Sequence, residues 1–237
     1  EIYDDAAAAL LENERDAALS LPEASDAYKA AIEQYKQDVA SARMAQWRNR
    51  CVSDGYEPGS TFKLITLASA IDSGAVTLND SFYCGGQEKF TGREQILNCW
   101  KSAGHGAQTT AQALGNSCNI AFGHIGLRMG GDTFYDYLKS FGIMEKTGVD
   151  LPGEASGLFY ERKYLNDPAN YGTSYLITSS FGQSFRITPM QLVRAVAAIV
   201  NGGYVLEPYI VSEVVDADGN TVEKNEKTVL RQVISQQ

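Results

Sequence analysis

Two serine-containing segments carry the residue types that acyl transfer needs, and the first is Ser60 with Lys63. Residues three positions apart share one face of a helix, so the two side chains can touch. A serine hydroxyl must lose its proton as it attacks an acyl carbon, and a buried lysine can take it because burial disfavours the ammonium form. Ser-x-x-Lys alone occurs often by chance, and by itself it is more often an N-cap serine with a solvated lysine than a catalytic pair.

The second segment is Ser117-Cys118-Asn119, at the predicted start of a helix. A hydroxyl there suits a proton relay, and an amide suits the orientation of a substrate. The sequence therefore predicts Ser60, Lys63, Ser117 and Asn119 as the catalytic residues.

Composition limits the possible partners. The chain has 237 residues, 44% of them hydrophobic, which allows one sizeable domain or two small ones. Its formal net charge of -9 argues against nucleic acid and anionic membrane surfaces as partners. No apolar stretch approaches the roughly 20 residues of a membrane span, so if the protein has a membrane anchor, the anchor is expected to lie outside this sequence.

The cysteines and histidines predict no metal site and no cofactor. Four cysteines lack a Cys-x-x-Cys pair, and neither His105 nor His124 is spaced from them as zinc ligands are. Cys84 and Cys99 flank a possible hairpin, so they can be a disulfide or two thiols. For His105, between two glycines, a turn residue bonded to the backbone is favoured over a substrate contact.

Cap residues and hydrophobic periodicity predict the helices. Residues 4–47 are typical of two helices broken near Pro22, and 60–73 of one buried helix. Thr188 as N-cap, with Gln191 three positions further along the chain, predicts a helix that begins at this point. Further helices are expected over 110–114, over 119–129 and over 132–141 with Asp132 as N-cap.

Strands are expected in two places. Residues 81–100 predict short strands with turns, and the period-two alternation from Val205 to Val222 predicts a hairpin that turns at 218–220. Residues 147–175 hold several glycines and prolines, among them Pro168, and are expected to be irregular.

Five segments in order resemble class B penicillin-binding proteins, the peptidoglycan D,D-transpeptidases of the serine β-lactamase and penicillin-binding superfamily. The resemblance runs from about Trp47 to Pro208 and is much weaker before it. The similar segments are 56–63 (YEPGSTFK), 116–119 (NSCN), Cys99-Trp100 with 104–106 (GHG), 147–154 (TGVDLPGE), and 188–192 (TPMQL) with 201–203 (NGG).

The resemblance implies an α+β fold in which helices cover an antiparallel sheet and an all-helical part carries Ser117. It implies that Ser60 attacks the penultimate D-alanine carbonyl of a stem peptide, Lys63 takes the serine proton, Ser117 relays a proton and Asn119 holds the substrate. The implied ligands are D-Ala-D-Ala stem peptides and β-lactams. The implied location is the outer face of a bacterial membrane, with a membrane anchor and cell-wall synthesis partners in the parent protein.

One family motif is expected to be missing. The family has Lys-Thr-Gly on an edge strand beside the serine, but here Lys146-Thr147-Gly148 leads into Pro152 and Gly153, which do not suit such a strand. We expect residues 1–237 to be a partial transpeptidase domain, with a helical region over 1–47 and a catalytic core over 48–237 that lacks its final strands. This fragment alone is expected to be inactive.

Two other functions remain open. A β-lactamase or β-lactam sensor shares the fold and the Ser-x-x-Lys pair, and a non-catalytic scaffold would keep the fold alone.

Overall fold

The computed structural model describes residues 4–23, 25–167 and 171–236. The chain divides into two compact units, Glu1–Arg50 and Cys51–Gln237.

The first unit is a pair of helices, α1 (Asp5–Leu19) and α2 (Asp26–Trp47). Side-chain caps start both: Asp4 accepts from the backbone of Ala6 and Ala7, and Ser25 accepts from Tyr28. The two helices and the break near Pro22 are as predicted.

In the second unit, a short helix α3 (Arg50–Ser53) at the boundary precedes a 3₁₀ turn (Gly59–Phe62) that leads directly into α4 (Lys63–Asp72). The other helices are α5 (Thr110–Gly115), α6 (Asn119–Met129), α7 (Gly131–Ser140), α8 (Arg162–Leu165), α9 (Gly172–Ser180) and α10 (Pro189–Val200).

The described strands form four separate two-stranded antiparallel sheets, which with the helices confirms the α+β class. The pairs are β1 (Ser81–Cys84) with β4 (Gly106–Thr109), β2 (Gln87–Glu88) with β3 (Leu97–Asn98), β5 (Tyr204–Glu207) with β8 (Thr228–Gln232), and β6 (Glu213–Val215) with β7 (Thr221–Lys224). The last pair is the predicted hairpin. In the first pair Cys84 lies opposite Gly106, so β1 ends beside the 104–106 segment.

Helix α6 packs between α4 and α9 and is buried along most of its length. Two glycines let α9 approach closely: a Cβ on Gly126 would lie 2.7 Å from Ser180 Cβ, and one on Gly123 would lie 3.2 Å from Ile177. Ser180 Oγ also donates to the carbonyl of Phe122 at 2.7 Å. This packing holds the first turns of α6 in the core.

Helix α10 starts with the predicted capping box, in which Thr188 and Gln191 bond each other's backbone N–H groups. Gln191 and the buried Arg194 then reach across to the segment after α7, donating to the carbonyls of Glu145 at 2.6 Å and Gly142 at 2.8 Å. Local caps and long-range polar contacts therefore fix the same helix.

Three predictions need correction. Gly130, not Asp132, is the N-cap of α7. The segment expected to be irregular contains α8 and the start of α9, whereas Pro168 lies outside the described residues. The helix after Ser60 is not buried on every face, because Leu64 and Ile71 are exposed.

Within the described residues, none of the helices combines the length and the apolar character that a bilayer crossing requires.

Candidate active site

Backbone contacts between distant segments position Ser60 in its 3₁₀ turn. Tyr56 N donates to Ile187 O at 3.0 Å, and Gly59 N donates to Gly182 O at 2.8 Å. Gly182 has a φ of +84°, and a Cβ there would lie 2.0 Å from Gly59 O. A glycine is therefore required at position 182, and sequence reasoning did not single it out.

Lys63 is the centre of the site. It is only 1% exposed, and its Nζ has four oxygen neighbours. They are Ser117 O at 2.7 Å, Asn119 Oδ1 at 2.7 Å, Ser117 Oγ at 3.0 Å and Ser60 Oγ at 3.1 Å. The structure thus brings the other three predicted catalytic side chains to the Lys63 nitrogen, although the catalytic roles of all four stay predictions.

These four neighbours are compatible with either protonation state of Lys63. An ammonium donates three hydrogen bonds, whereas a neutral amine donates two and accepts one, and each serine hydroxyl can donate or accept. A neutral amine has two N–H groups for the Ser117 and Asn119 carbonyl oxygens, which can only accept. Its lone pair is then free to accept from a serine hydroxyl.

Burial lowers the pKa of Lys63 from 10.5 to about 8. The Phe122 ring centroid lies 5.4 Å from Nζ, and because a ring face attracts a cation this contact acts against the effect of burial. Lys63 is the first residue of α4, where the positive end of the helix dipole also disfavours a cation.

Ser117 and Asn119 point to Lys63 because the chain turns sharply between α5 and α6. Ser117 has a φ of 49°, in the left-handed region that non-glycine residues seldom adopt. The next residue, Cys118, is fully buried and is the N-cap of α6. This turn aims both the carbonyl and the hydroxyl of Ser117 at Nζ.

A second cluster adjoins this site, and sequence reasoning missed it. Cys84, Cys99, His105 and Cys118 each offer an atom within 4.8 Å of those of the other three. Sequence spacing gave no sign of this grouping, because β1, the 99–106 segment and the start of α6 converge only in space. Cys84, Cys99 and Cys118 are not joined in a disulfide in the structure.

His105 lies between the turn at residues 102–103 and the start of β4, flanked by two glycines with positive φ. Its contact is not the backbone bond that we expected: Nδ1 lies 3.7 Å from Cys99 Sγ. Nε2 is buried and has no hydrogen-bond partner among the described residues. The prediction of a turn residue bonded to the backbone is therefore wrong for this histidine.

Lys146-Thr147-Gly148 belongs to none of the described strands, as predicted. The backbone N–H of Thr147 donates to Glu154 Oε1 at 2.6 Å, and Gly148 N donates to Glu154 Oε2 at 3.1 Å. Arg194 binds the carbonyl of Thr147 at 3.2 Å. These residues form a loop cross-linked by Glu154 and Arg194.

A known protein family matches nearly the whole length of this chain. The family model described as the penicillin binding protein transpeptidase domain matches residues 6–237. The chain belongs to this family. For a penicillin-binding transpeptidase domain, the α+β class and the Ser-x-x-Lys segment are as expected.

Curated relatives support the assignment. Stage V sporulation protein D of Bacillus subtilis is 42% identical over 192 residues, which are 80% of this chain and 28% of that protein. Peptidoglycan D,D-transpeptidase MrdA of Acinetobacter baumannii is 32% identical over 68% of this chain and 25% of that protein. The chain thus spans between a quarter and a third of the length of these relatives.

Solved structures give the same fold. The D,D-transpeptidase domain of a peptidoglycan glycosyltransferase from Eggerthella lenta has a TM-score of 0.74 at 25% identity, covering 88% of this chain and 51% of that one. Penicillin binding protein 3 of Mycobacterium tuberculosis, in complex with aztreonam, has a TM-score of 0.68 at 27% identity. The match covers 79% of this chain and 40% of that one.

Proposed function

We propose that this chain carries the acylation centre of a serine D,D-transpeptidase that cross-links peptidoglycan stem peptides. The observation that carries the proposal is the buried Lys63 Nζ, which lies within hydrogen-bond distance of both Ser60 and Ser117 hydroxyls and of the Asn119 amide. The substrate would be the D-Ala-D-Ala end of a stem peptide, and β-lactams would react with the same serine.

In the first step, Ser60 Oγ attacks the carbonyl carbon of the penultimate D-alanine while neutral Lys63 takes its proton. The backbone N–H of Ser60 stabilises the oxyanion that forms. When the C–N bond breaks, the proton on Lys63 passes through the Ser117 hydroxyl to the leaving amine of the terminal D-alanine. The product is an ester between Ser60 and the stem peptide.

In the second step, an amine of a neighbouring strand attacks this ester and releases Ser60. Lys63, again neutral, takes the proton of the attacking amine and returns it to Ser60 Oγ. Asn119 holds the substrate amide through both steps, and its own Oδ1 accepts from Lys63. The same groups therefore run the proton transfer in both directions.

We also propose that residues 48–237 are a catalytic core that needs a further strand, with 1–47 as a helical N-terminal region. None of the described strands carries a Lys-Thr-Gly motif. That strand would supply the second oxyanion N–H and a second cation. The reaction would take place on the outer face of a bacterial membrane, through a membrane anchor and cell-wall synthesis partners outside this chain.

The first prediction concerns this chain alone, which is expected to label poorly with fluorescent penicillin. Loss of one oxyanion donor slows acyl transfer roughly 10²–10³-fold. A chimaera supplies the strand, with this chain replacing its matching segment in the Bacillus subtilis relative, and is expected to label stoichiometrically. Gel fluorescence after equal incubation compares the two. Strong labelling of the chain alone would show that no further strand is needed.

The second prediction concerns pH. Only neutral Lys63 can accept the serine proton, and its pKa is about 8. The acylation rate of the chimaera should therefore rise about tenfold per pH unit below 8 and level off above it. Stopped-flow acylation by a penicillin, corrected for hydrolysis of the drug in buffer, measures the profile. A rate that is flat from pH 6 to 9, or that still rises at pH 10, would contradict a base with this pKa.

The chimaera also separates the transpeptidase from a β-lactamase of the same fold. A transpeptidase holds the acyl group, so a chromogenic cephalosporin should give one burst of product per enzyme and little turnover. Rapid steady-state turnover would favour the β-lactamase.

A further inference from the structure

A pocket of about 330 Å³ opens close to the turn that carries Ser60. Its apolar wall includes Leu158 and Phe185, and two opposite charges, Glu57 and Arg186, line it as well. We propose that this pocket binds the second substrate, an amine on an aliphatic chain whose amine-bearing carbon also carries a carboxylate. The inference rests on the proposed function, which requires an attacking amine.

The pocket is joined to the nucleophile by direct packing. Phe185 is only 3% exposed and lies edge-on to Phe62, with the ring centroids 4.7 Å apart. Phe62 ends the 3₁₀ turn that begins at Gly59. Glu57 is three residues before Ser60, so their Cα atoms are at most about 11 Å apart. A ligand held by Glu57 is therefore within reach of an acyl group on Ser60.

Backbone pairing holds the walls of the pocket. Leu158 N donates to Arg186 O at 2.7 Å, and Arg186 N donates to Leu158 O at 3.0 Å. The next residue, Ile187, pairs in the same way with Tyr56, through bonds of 3.0 and 3.1 Å. The contacts that build the pocket therefore continue into those that position Ser60.

The two charges of the pocket are available to a ligand. Among the described residues, Glu57 and Arg186 form no ion pair with each other, and the exposed Arg186 guanidinium has no hydrogen-bond partner. Glu57 Oε1 accepts from the backbone N–H of Ser184 at 2.9 Å, which fixes the carboxylate, and no described residue bonds to Oε2. A fixed carboxylate and a free guanidinium on one pocket suit a ligand that carries both an ammonium and a carboxylate.

The backbone at Ser184 supports a functional role for this contact. Ser184 has a φ of 69°, in the left-handed region that non-glycine residues seldom adopt, and such strain is found most often at functional sites. Burial raises the pKa of Tyr160, and the charges of Tyr175 and Glu57 raise it further. The Tyr160 phenol, which also lines the pocket, thus keeps its proton and can donate to a bound carboxylate.

These groups select one kind of acceptor. Arg186 would bind its carboxylate, Glu57 its amine, and the apolar wall would cover its aliphatic chain. A chain that ends in an amine without a neighbouring carboxylate would leave Arg186 unused.

The bound amine reacts by the second step of the proposed mechanism. The ammonium first loses one proton to solvent. The neutral amine then attacks the ester carbon, a C–N bond forms and the C–O bond to Ser60 breaks. The second proton passes through Lys63 to Ser60 Oγ, so Glu57 and Arg186 only bind and orient the acceptor.

The test measures how the acyl-enzyme divides between water and an added amine. The chimaera is acylated by a D-alanyl thioester in the presence of D-norleucine or D-norleucinamide, which differ only in the carboxylate. Mass spectrometry quantifies the products of aminolysis and hydrolysis, whose ratio does not depend on the acylation rate. At equal concentrations of neutral amine, D-norleucine should give a ratio roughly tenfold higher, the effect of one charge-assisted hydrogen bond.

Variants separate the two charges. Arg186→Ala should lose the preference for D-norleucine, and Arg186→Lys should keep part of it because a positive charge remains. Glu57→Gln keeps an acceptor for the Ser184 N–H but loses the charge, so it should lower aminolysis by both amines to a similar extent. Arg128→Ala is the matched control, because Arg128 lies outside the pocket, paired with Asp80 at 2.9 Å, and this variant should keep the preference.

Two results would overturn the acceptor site. One is equal aminolysis by the two amines in the parent chimaera, a comparison that needs no variant and so does not depend on how a variant folds. The other is an equal loss of both reactions in Arg186→Ala. A chimaera that forms no acyl-enzyme would refute the proposed function and the acceptor site with it, whereas an acyl-enzyme without the preference would refute the acceptor site alone.

Discussion

Replacement of Ser60 with alanine is expected to abolish penicillin labelling of the chimaera. The acyl-enzyme bond is made to Ser60 Oγ, so its removal leaves no atom to hold the drug. Loss of the nucleophile in a serine enzyme lowers the rate on the order of 10⁶-fold, which is below detection in a gel assay. The measurement is gel fluorescence with fluorescent penicillin, supported by the mass of the intact adduct.

Ser73→Ala is the matched control for Ser60→Ala. Ser73 is at the other end of α4, where its hydroxyl donates to the carbonyl of Ala70 at 3.1 Å. This variant should label like the parent, and its unfolding in urea should resemble that of Ser60→Ala. Labelling that survives in Ser60→Ala would place the nucleophile elsewhere.

Replacement of Lys63 with alanine is expected to slow acylation roughly 10²–10⁴-fold, the usual contribution of a general base. Lys63→Arg should be just as slow, since a guanidinium keeps a positive charge but cannot give up its proton in this pH range. The second-order rate constant of penicillin acylation measures both. If Lys63→Arg retained most of the rate, the charge of Lys63 would matter and its basicity would not.

Lys139→Ala controls for the loss of a lysine, because Lys139 lies in the last turn of α7 and is exposed. The pH profile gives a further distinction. Lys63→Ala should lose the dependence centred near pH 8, whereas a variant that only disturbs packing would keep it at a lower rate.

Local signals predicted much of the helical structure. The capping box of Thr188 and Gln191 depends on residues three positions apart, and it appears as predicted. The range 119–129 was also predicted correctly, because apolar residues and the glycine at 130 mark its end. Such elements depend on hydrogen bonds between near neighbours, which the sequence order already specifies.

Elements that need tertiary support were not predicted. Helix α9 includes Ser179 and Ser180. The polar Ser180 can be buried there because its hydroxyl donates to the Phe122 carbonyl across the core. Strand β8 has no hairpin partner next to it in sequence and pairs with β5. In both cases the deciding contact joins residues far apart in the chain, which periodicity cannot detect.

The Ser60 and Lys63 pair could be predicted from the sequence, because residues three positions apart in a helical segment lie on one face. The tertiary structure decided that Ser117 and Asn119, 54 and 56 positions beyond Lys63, share its nitrogen. It also decided that three dispersed cysteines and His105 meet. Packing of α4 against α6, and the end of β1 against the 99–106 segment, brings these groups together, and it depends on long-range burial that no short spacing specifies.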